Sequence, residues 1–457
     1  MTYMFVKAHR LGASDIKIYG RDKDGKKHSF VEKNFKPYFY VKDNNGNLTA
    51  YDGTKVRRIE VTDPTQVPKL RKTFEKHYEA DIPYTRRYLI DKGITSGFTV
   101  ENGEIKPAEP PAVEPRIGII DIEVESDVMV SPEDPRRPIS SITIYDSYTE
   151  NFYTFHSFQA ERLRPEPNWF INGYENESTM LSVFLKWLKS LEPDILTGWY
   201  IVGTKLYEEG GFDIPYLLNR LELLGFQKPD FQGINVVDCK PMFQKGFSYA
   251  SEIQKPSSWK LKDVAEQVGY TFTAPAEFSE AVKEHETLIR YNKQDVDIIR
   301  WLEWESPVKG MIKFHWQLKQ ITGVNDLSET LSSMVMIDTL YLREAKKAGI
   351  ILDSKPESKG LEESFEGALV IQPVKGIHEN VAVFDFSRYY PSIIMAFNIS
   401  PEGKGLFPKL CSRLIRERQE VDAEMQKYEP NTTEWINLEL KSFAFKVLTN
   451  TIYGVMG

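Results

Sequence analysis

The sequence predicts a multidomain chain of mixed α/β and α+β class. Three observations predict it. Residues 1–104 cluster β-formers between turn signals. Residues 105–305 alternate strand-like with helix-like patterns. Residues 406–457 read as two helices that follow a solitary apolar strand. At ~150 residues per domain, 457 residues make about three domains. A hydrophobic content of 41% with 12% aromatics excludes a mainly disordered or collagen-like chain.

The elements follow in order. FVKAHRL, DIKIYG, KPYFYVKD and KVRRIEVTD alternate or cluster β-formers, separated by Asp-Gly and Asn-Gly dipeptides, and predict a β-rich N-terminal domain. ENGEIKPAEPPAVEP (101–115) carries four prolines and predicts a linker. RIGIIDIEVES is an apolar strand with carboxylates set into it. In TMLSVFLKWLKSLEP, Leu181, Phe184, Leu185 and Leu188 keep the spacing of one buried helix face. DILTGW reads as a short strand, and DIPYLLNRLELLG and HETLIRYNKQDVDIIRWLEW as helices. Residues 325–348 are helical in pattern, and VAVFDFSRYYPSII predicts another buried strand. From PKLCSRLIRERQEVDAEMQKYE onward two helices are joined by a loop near Pro430 and Asn431.

Charge and cysteines narrow the classes further. The 58 Lys and Arg against 66 Asp and Glu give a net −8, which shows no global basic surface but leaves room for a local basic groove. No run approaches the ~18 unbroken apolar residues of a membrane span, and the opening MTYMFVKAHR lacks the apolar core of a secretory leader. Cys239 and Cys411 make neither a disulfide framework nor a zinc site. These features predict a cytoplasmic protein without a membrane partner.

Four scattered carboxylates carry chemistry. Asp121 and Glu123 are two apart on a strand, so both point to one face. Two acids on an apolar strand repel and are costly to bury unless a cation binds between them, and a hard divalent ion, Mg²⁺ or Mn²⁺, suits them. Asp213, in Gly-Gly-Phe-Asp-Ile-Pro-Tyr, reads alone as a helix N-cap. Asp295 follows Tyr291 by four on one helix face, and alone it reads as amphipathic surface.

Together, in this order, the three motifs resemble the DEDD 3′–5′ exonucleases, and more closely the tyrosine-bearing class that proofreads for DNA polymerases. The resemblance implies an RNase H-like exonuclease domain and phosphodiester hydrolysis assisted by two metal ions. Asp121, Glu123, Asp213 and Asp295 would hold the ions, and Tyr291 would position water. One departure is visible. Where the family has Asn after Thr-Gly-Trp/Tyr, this chain has Tyr200 and then an inserted VGTKLYEE, which puts the grip on single-stranded DNA in doubt.

FDFSRYYPSII (384–394) and the preceding FEGALVIQPVKGIHENVAV resemble family B DNA polymerases, and with the nuclease motifs the resemblance covers nearly the whole chain. It implies that Asp385 binds both ions of a polymerase site, that Phe386 lends a carbonyl, and that the Tyr390 ring excludes a 2′-hydroxyl so that dNTPs are selected. Arg388 and Tyr389 stand where Ser and Leu are common. Lys446, Asn450 and Tyr453, in Lys-Val-Leu-Thr-Asn-Thr-Ile-Tyr-Gly, resemble the second polymerase motif and share one helix face. They suit a triphosphate, a base edge and a base-pair face, with Gly454 allowing close approach. Arg418 matches a second phosphate-binding cation, whereas Asp422 stands where Lys is common.

Glu366 and Gly367 resemble a loop that touches template. KPYFYV, PTQVPKLR and DIPYTRRYLIDKGI resemble the archaeal-type members, whose uracil-detecting pocket would use Pro37, Tyr38, Val67 and Arg87. The implied domains are 1–104, with 306–348 packing back on it, then 105–305 for the exonuclease. A partial palm with the first polymerase motif would span 349–405, and two-helix fingers with the second motif 406–457.

The family's second catalytic carboxylate lies in a Tyr-x-Asp-Thr-Asp-type hairpin, and neither it nor a thumb occurs in these residues. The expectation is a split or truncated polymerase with a complete nuclease signature, needing a complementing C-terminal chain. A stand-alone exonuclease with a vestigial polymerase half is the alternative. Implied partners are primer–template and single-stranded DNA, dNTPs and that C-terminal chain, with a sliding clamp as a further candidate.

Overall fold

A computed structural model describes all residues except 125, 127–129, 159–165, 204–209, 250–252, 276–278, 280–283, 356–368, 370, 387 and 457. Three sheets organise its first half. Strands β1 (Thr2–Leu11), β2 (Asp15–Arg21), β3 (Lys27–Glu32), β8 (Gly97–Glu101) and β9 (Glu104–Pro107) form a five-stranded sheet in the order β3-β2-β1-β8-β9. Beside it, β4 (Tyr38–Lys42), β5 (Leu48–Thr49), β6 (Lys55–Glu60) and β7 (His77–Tyr78) pair in the order β5-β6-β4-β7. The third sheet takes β10 (Ile117–Val124), β11 (Ile139–Asp146), β12 (Asn151–His156), β13 (Trp169–Gly173), β14 (Ile195–Gly198) and β15 (Asn235–Asp238) in the order β13-β12-β11-β10-β14-β15.

The linker expected over 101–115 is shorter than its proline count suggests. Asn102 and Gly103 both take positive φ, 52° and 81°, so they turn β8 into β9 and extend the first sheet to Pro107. Only 108–115 connects.

The third sheet explains its sequence. β10 runs antiparallel to β11 but parallel to β14, and β11 is buried at all eight positions, as a strand covered on both faces must be. The helix Glu177–Leu191 starts where the Asn176 side chain accepts the Thr179 N–H. It turns Met180, Leu181, Phe184 and Leu188 onto the sheet. The helix His285–Trp304 lies across β10 and β11 and buries Leu288, Ile289, Asn292 and Val296.

The chain then returns to its beginning. Asn325 exchanges two hydrogen bonds with the Ala8 backbone of β1 at 2.8 and 2.9 Å. Arg343 donates to Leu89 O and Ile94 O. Ile351 bridges Ala50, and Asp353 bridges Tyr78. Buried Arg21 pairs with Asp194, tying the first sheet to the third. The helices Leu406–Met425 and Thr433–Met456 pack along each other, and Leu410, Leu414, Ala444 and Leu448 join the core that holds Trp316 and Leu340. No helix among the described residues is long and apolar enough to cross a membrane.

The strand expected over VAVFDFSRYYPSII is absent. Residues 381–386 carry no secondary structure, with Val383 88% and Phe384 92% exposed, and the helix Tyr389–Ala396 follows. A strand needs a neighbour to take its backbone hydrogen bonds, and among the described residues none lies alongside.

Candidate active site

Asp121 and Glu123 sit on β10 opposite Thr143 and Ser141 of β11, so their side chains leave the sheet on the same face. The helix carrying Asp295 crosses that face. Asp121, Glu123 and Asp295 each place one carboxylate oxygen within 4.8 Å of the others, the one group of three or more possible metal ligands among the described residues. Asp213 is buried beside them but outside that trio. It is the first helical residue after Phe212, not the cap, and its Oδ1 reaches across to accept the Ile122 N–H at 2.9 Å.

Burial dominates the electrostatics. It pushes the Asp121 carboxyl up to about 7, against a hydrogen bond from Asn292 and the charge of Lys262. Burial, then repulsion from Asp121, holds Glu123 and Asp213 well above the usual carboxylate range. Asp238, which accepts the N–H groups of Tyr200 and Lys240, is pushed up to about 6, also by burial. Crowded hard oxygen donors, three of them made costly to ionise by burial, fit one or two Mg²⁺ or Mn²⁺ ions. The Lys262 ammonium pairs with Asp295 and lies 3.8 Å from the Tyr291 ring centre, so a cation already balances one edge of the cluster.

The polymerase-like residues are arranged differently. Asp385 and Phe386 are exposed, in the segment without secondary structure. Lys446, Asn450, Tyr453 and Gly454 form one exposed face of the helix Thr433–Met456, and nothing lies within 4 Å of where a Gly454 Cβ would stand. The Tyr390 ring stacks on Tyr453 at 4.0 Å and 11°. Arg418 Nε donates to Ser442 Oγ at 3.2 Å and lies 3.7 Å from Asp422, whose charge offsets it.

A profile of DNA polymerase family B matches residues 327–403, and the profile of its exonuclease domain matches residues 75–264. The chain belongs to DNA polymerase family B. Over 98% of its length it is 28% identical to the DNA polymerase of Archaeoglobus fulgidus, covering 62% of that protein. Over 97% it is 23% identical to DNA polymerase 2 of Aeropyrum pernix, covering 64%. The chain thus spans less than two thirds of these relatives. The solved family B DNA polymerase of the hyperthermophilic archaeon Pyrobaculum calidifontis superposes with a TM-score of 0.76 at 22% identity, over 100% of this chain and 68% of that one, and so shares the fold.

In this family B chain, Pro37, Tyr38, Val67 and Arg87 line a single cavity of about 190 Å³ with Ala80 and Pro83. Its wall is rigid. Arg87 pairs with Glu79 at 2.6 Å and stacks 4.6 Å from the Tyr38 ring centre, and the Tyr38 hydroxyl donates to Asp91. Glu366 and Gly367 lie outside the described residues. Sequence reasoning missed Asn292 and Lys262. Asn292 carried a signal, as a polar side chain on a helix face otherwise built of Leu288 and Val296. Lys262 carried none, because no periodicity links it to Asp295.

Proposed function

We propose that this chain is the proofreading and nucleotide-selecting part of a DNA-directed DNA polymerase. Alone it would act as a 3′–5′ exodeoxyribonuclease on single-stranded DNA. With a C-terminal chain supplying the second catalytic carboxylate and the thumb, it would extend primers from dNTPs. The observation that carries the first half is the convergence of Asp121, Glu123 and Asp295, with buried Asp213 beside them.

In this reading the four carboxylates would hold two Mg²⁺ or Mn²⁺ ions, which when bound stabilise charge on the attacking and leaving oxygens of the scissile phosphate. Tyr291, on the same helix face as Asp295, would orient the attacking water through its hydroxyl. Asn292 donates to Asp121 Oδ2 at 2.7 Å and restrains that carboxylate. In the polymerase half, Asp385 and Phe386 would meet the incoming triphosphate, with Arg418 and Lys446 along its phosphates. Tyr390 would lie under the sugar, and Asn450, Tyr453 and Gly454 against the nascent pair. The shared exposed helix face of Lys446, Asn450 and Tyr453 supports this. The cavity walled by Pro37, Tyr38, Val67 and Arg87 would take a template base, uracil among them.

The test is a 5′-labelled primer–template with Mg²⁺, with and without dNTPs, and with and without a fragment carrying the family's Asp-Thr-Asp hairpin. Shortening by the chain alone, turned to extension by the fragment, is expected. Incorporation by the chain alone would contradict the need for a partner. The exposure of Asp385 favours one other reading, a nuclease with a relic polymerase half, and that reading predicts shortening that no fragment converts.

A further inference from the structure

A row of polar side chains crosses the third sheet beneath the carboxylates. In register, Asp121 on β10 lies opposite Thr143 on β11, and Thr143 opposite Thr154 on β12. Trp169 on β13 closes the row, its indole N–H donating to Thr154 Oγ1 at 2.9 Å. The two threonine hydroxyls bond at 2.8 Å. Thr143 Oγ1 donates to Asn292 Oδ1 at 2.6 Å, and Ser141 Oγ donates to the same oxygen at 2.8 Å. Asn292 Nδ2 in turn donates to Asp121 Oδ2. Ser141, Thr143, Thr154 and Asn292 are fully buried.

The two ends give the row a direction. An indole N–H can only donate, and an ionised carboxylate can only accept. Between them each hydroxyl passes its hydrogen toward Asn292, whose oxygen is thereby held to the hydroxyls and whose nitrogen is held to Asp121. Valine would fill the places of Thr143 and Thr154 with nearly the same shape and no polar demand, so core packing alone does not call for these hydroxyls. A connected buried network of this kind is rigid, and a missing link strands a polar atom without water.

We propose that Asn292, oriented by Ser141, Thr143, Thr154 and Trp169, is a positioning residue that fixes the rotation of the Asp121 carboxylate for divalent-cation capture. This rests on the nuclease reading. Partners that orient a metal ligand typically govern about 10- to 100-fold in metal affinity.

Mn²⁺ binding by calorimetry tests it on the full chain, counting only the uptake that Glu123→Ala removes, beside the melting temperature in EDTA. Asn292→Ala should weaken that uptake by about 10- to 100-fold. Thr143→Val should weaken it by a smaller factor, and Thr143→Ser, which keeps the hydroxyl, should restore it. A purely structural role would lower the melting temperature and leave Mn²⁺ affinity alone. Wild-type affinity in Asn292→Ala, or Thr143→Ser as weak as Thr143→Val, overturns the proposal. If Asn292→Ala does not fold, the Thr143 pair decides. Absence of Glu123-dependent uptake in the unmutated chain strikes the nuclease reading itself, since that measurement does not involve Asn292.

Discussion

The two acid-bearing segments of this chain have similar sequences and opposite fates. RIGIIDIEVES and VAVFDFSRYY are both apolar runs with embedded carboxylates. The first is β10, hydrogen-bonded on both sides by β11 and β14, with Glu123 buried and Asp121 half-buried under a helix. The second has no paired neighbour among the described residues, and Asp385 stands in the open. Apolar β-propensity therefore makes a strand only where another strand takes up its backbone groups. The electrostatic consequence follows. Burial raises the carboxyls of Asp121 and Glu123.

The largest expected effect that probes this contrast is Asp121→Ala, which should cut 3′-end shortening by ~10³-fold, about 4 kcal/mol of barrier. Single-strand binding by anisotropy should stay within about two-fold, because in this reading the carboxylate would hold metal rather than a base. Retained shortening would mean that the buried cluster is not where hydrolysis occurs.

A pH scan of the metal-free melt comes next. His315 is fully buried, bonded through Nδ1 to Thr330 Oγ1, and burial holds its pKa down to about 3, with Lys245 adding to the effect. The unfolded chain protonates this imidazole near 6.5 while the folded chain resists. Its stability is therefore complete above pH 6.5 and drains as pH falls toward 3, by at most about 1.4 kcal/mol per pH unit. His315→Leu, which leaves Thr330 bonded to Leu327 O, should flatten that acid limb.

Glu123→Gln is the smaller test. Removing a buried charge that burial and Asp121 both disfavour should stabilise the chain in EDTA by about 1 kcal/mol, a rise of roughly 1 °C in melting temperature at this chain length. The smallest effect belongs to Asp385→Asn. Exposed substitutions of this kind stay within about 0.5 kcal/mol, so the melt and the nuclease should not change, and only extension with a complementing fragment should be lost. A shift of several degrees would show that the Asp385 segment is packed, and the contrast with β10 would fail.

The same contrast explains what could be read from sequence. β10, the Leu181–Phe184–Leu188 face and the pair Tyr291–Asp295 depend on short-range periodicity, so each was legible. The Asn102–Gly103 turn was present in the letters but was obscured by the prolines that follow it. The motif around Asp385 suggested a role for its carboxylate but did not set its conformation, because a strand's partners lie elsewhere in the chain. Asn292 stood out as a polar residue on an apolar helix face, but its partners Thr143, Thr154 and Trp169 are brought together only by β11, β12 and β13. Lys262 meets Asp295 from 33 positions away, which no spacing rule anticipates.

The bridges from Ala50 to Ile351 and from Tyr78 to Asp353 have a consequence for synthesis. The small sheet β5-β6-β4-β7 emerges early from the ribosome but receives its closing contacts only some three hundred residues later. At ~5–20 residues per second that interval is roughly 15–60 s. During it the third sheet and its crossing helix, whose contacts are nearer in sequence, can already have closed. This early-made sheet is thus among the last parts to be locked, and a nascent chain halted before Ile351 should yield a protease-resistant core around the third sheet beside a cleavable region over residues 38–78.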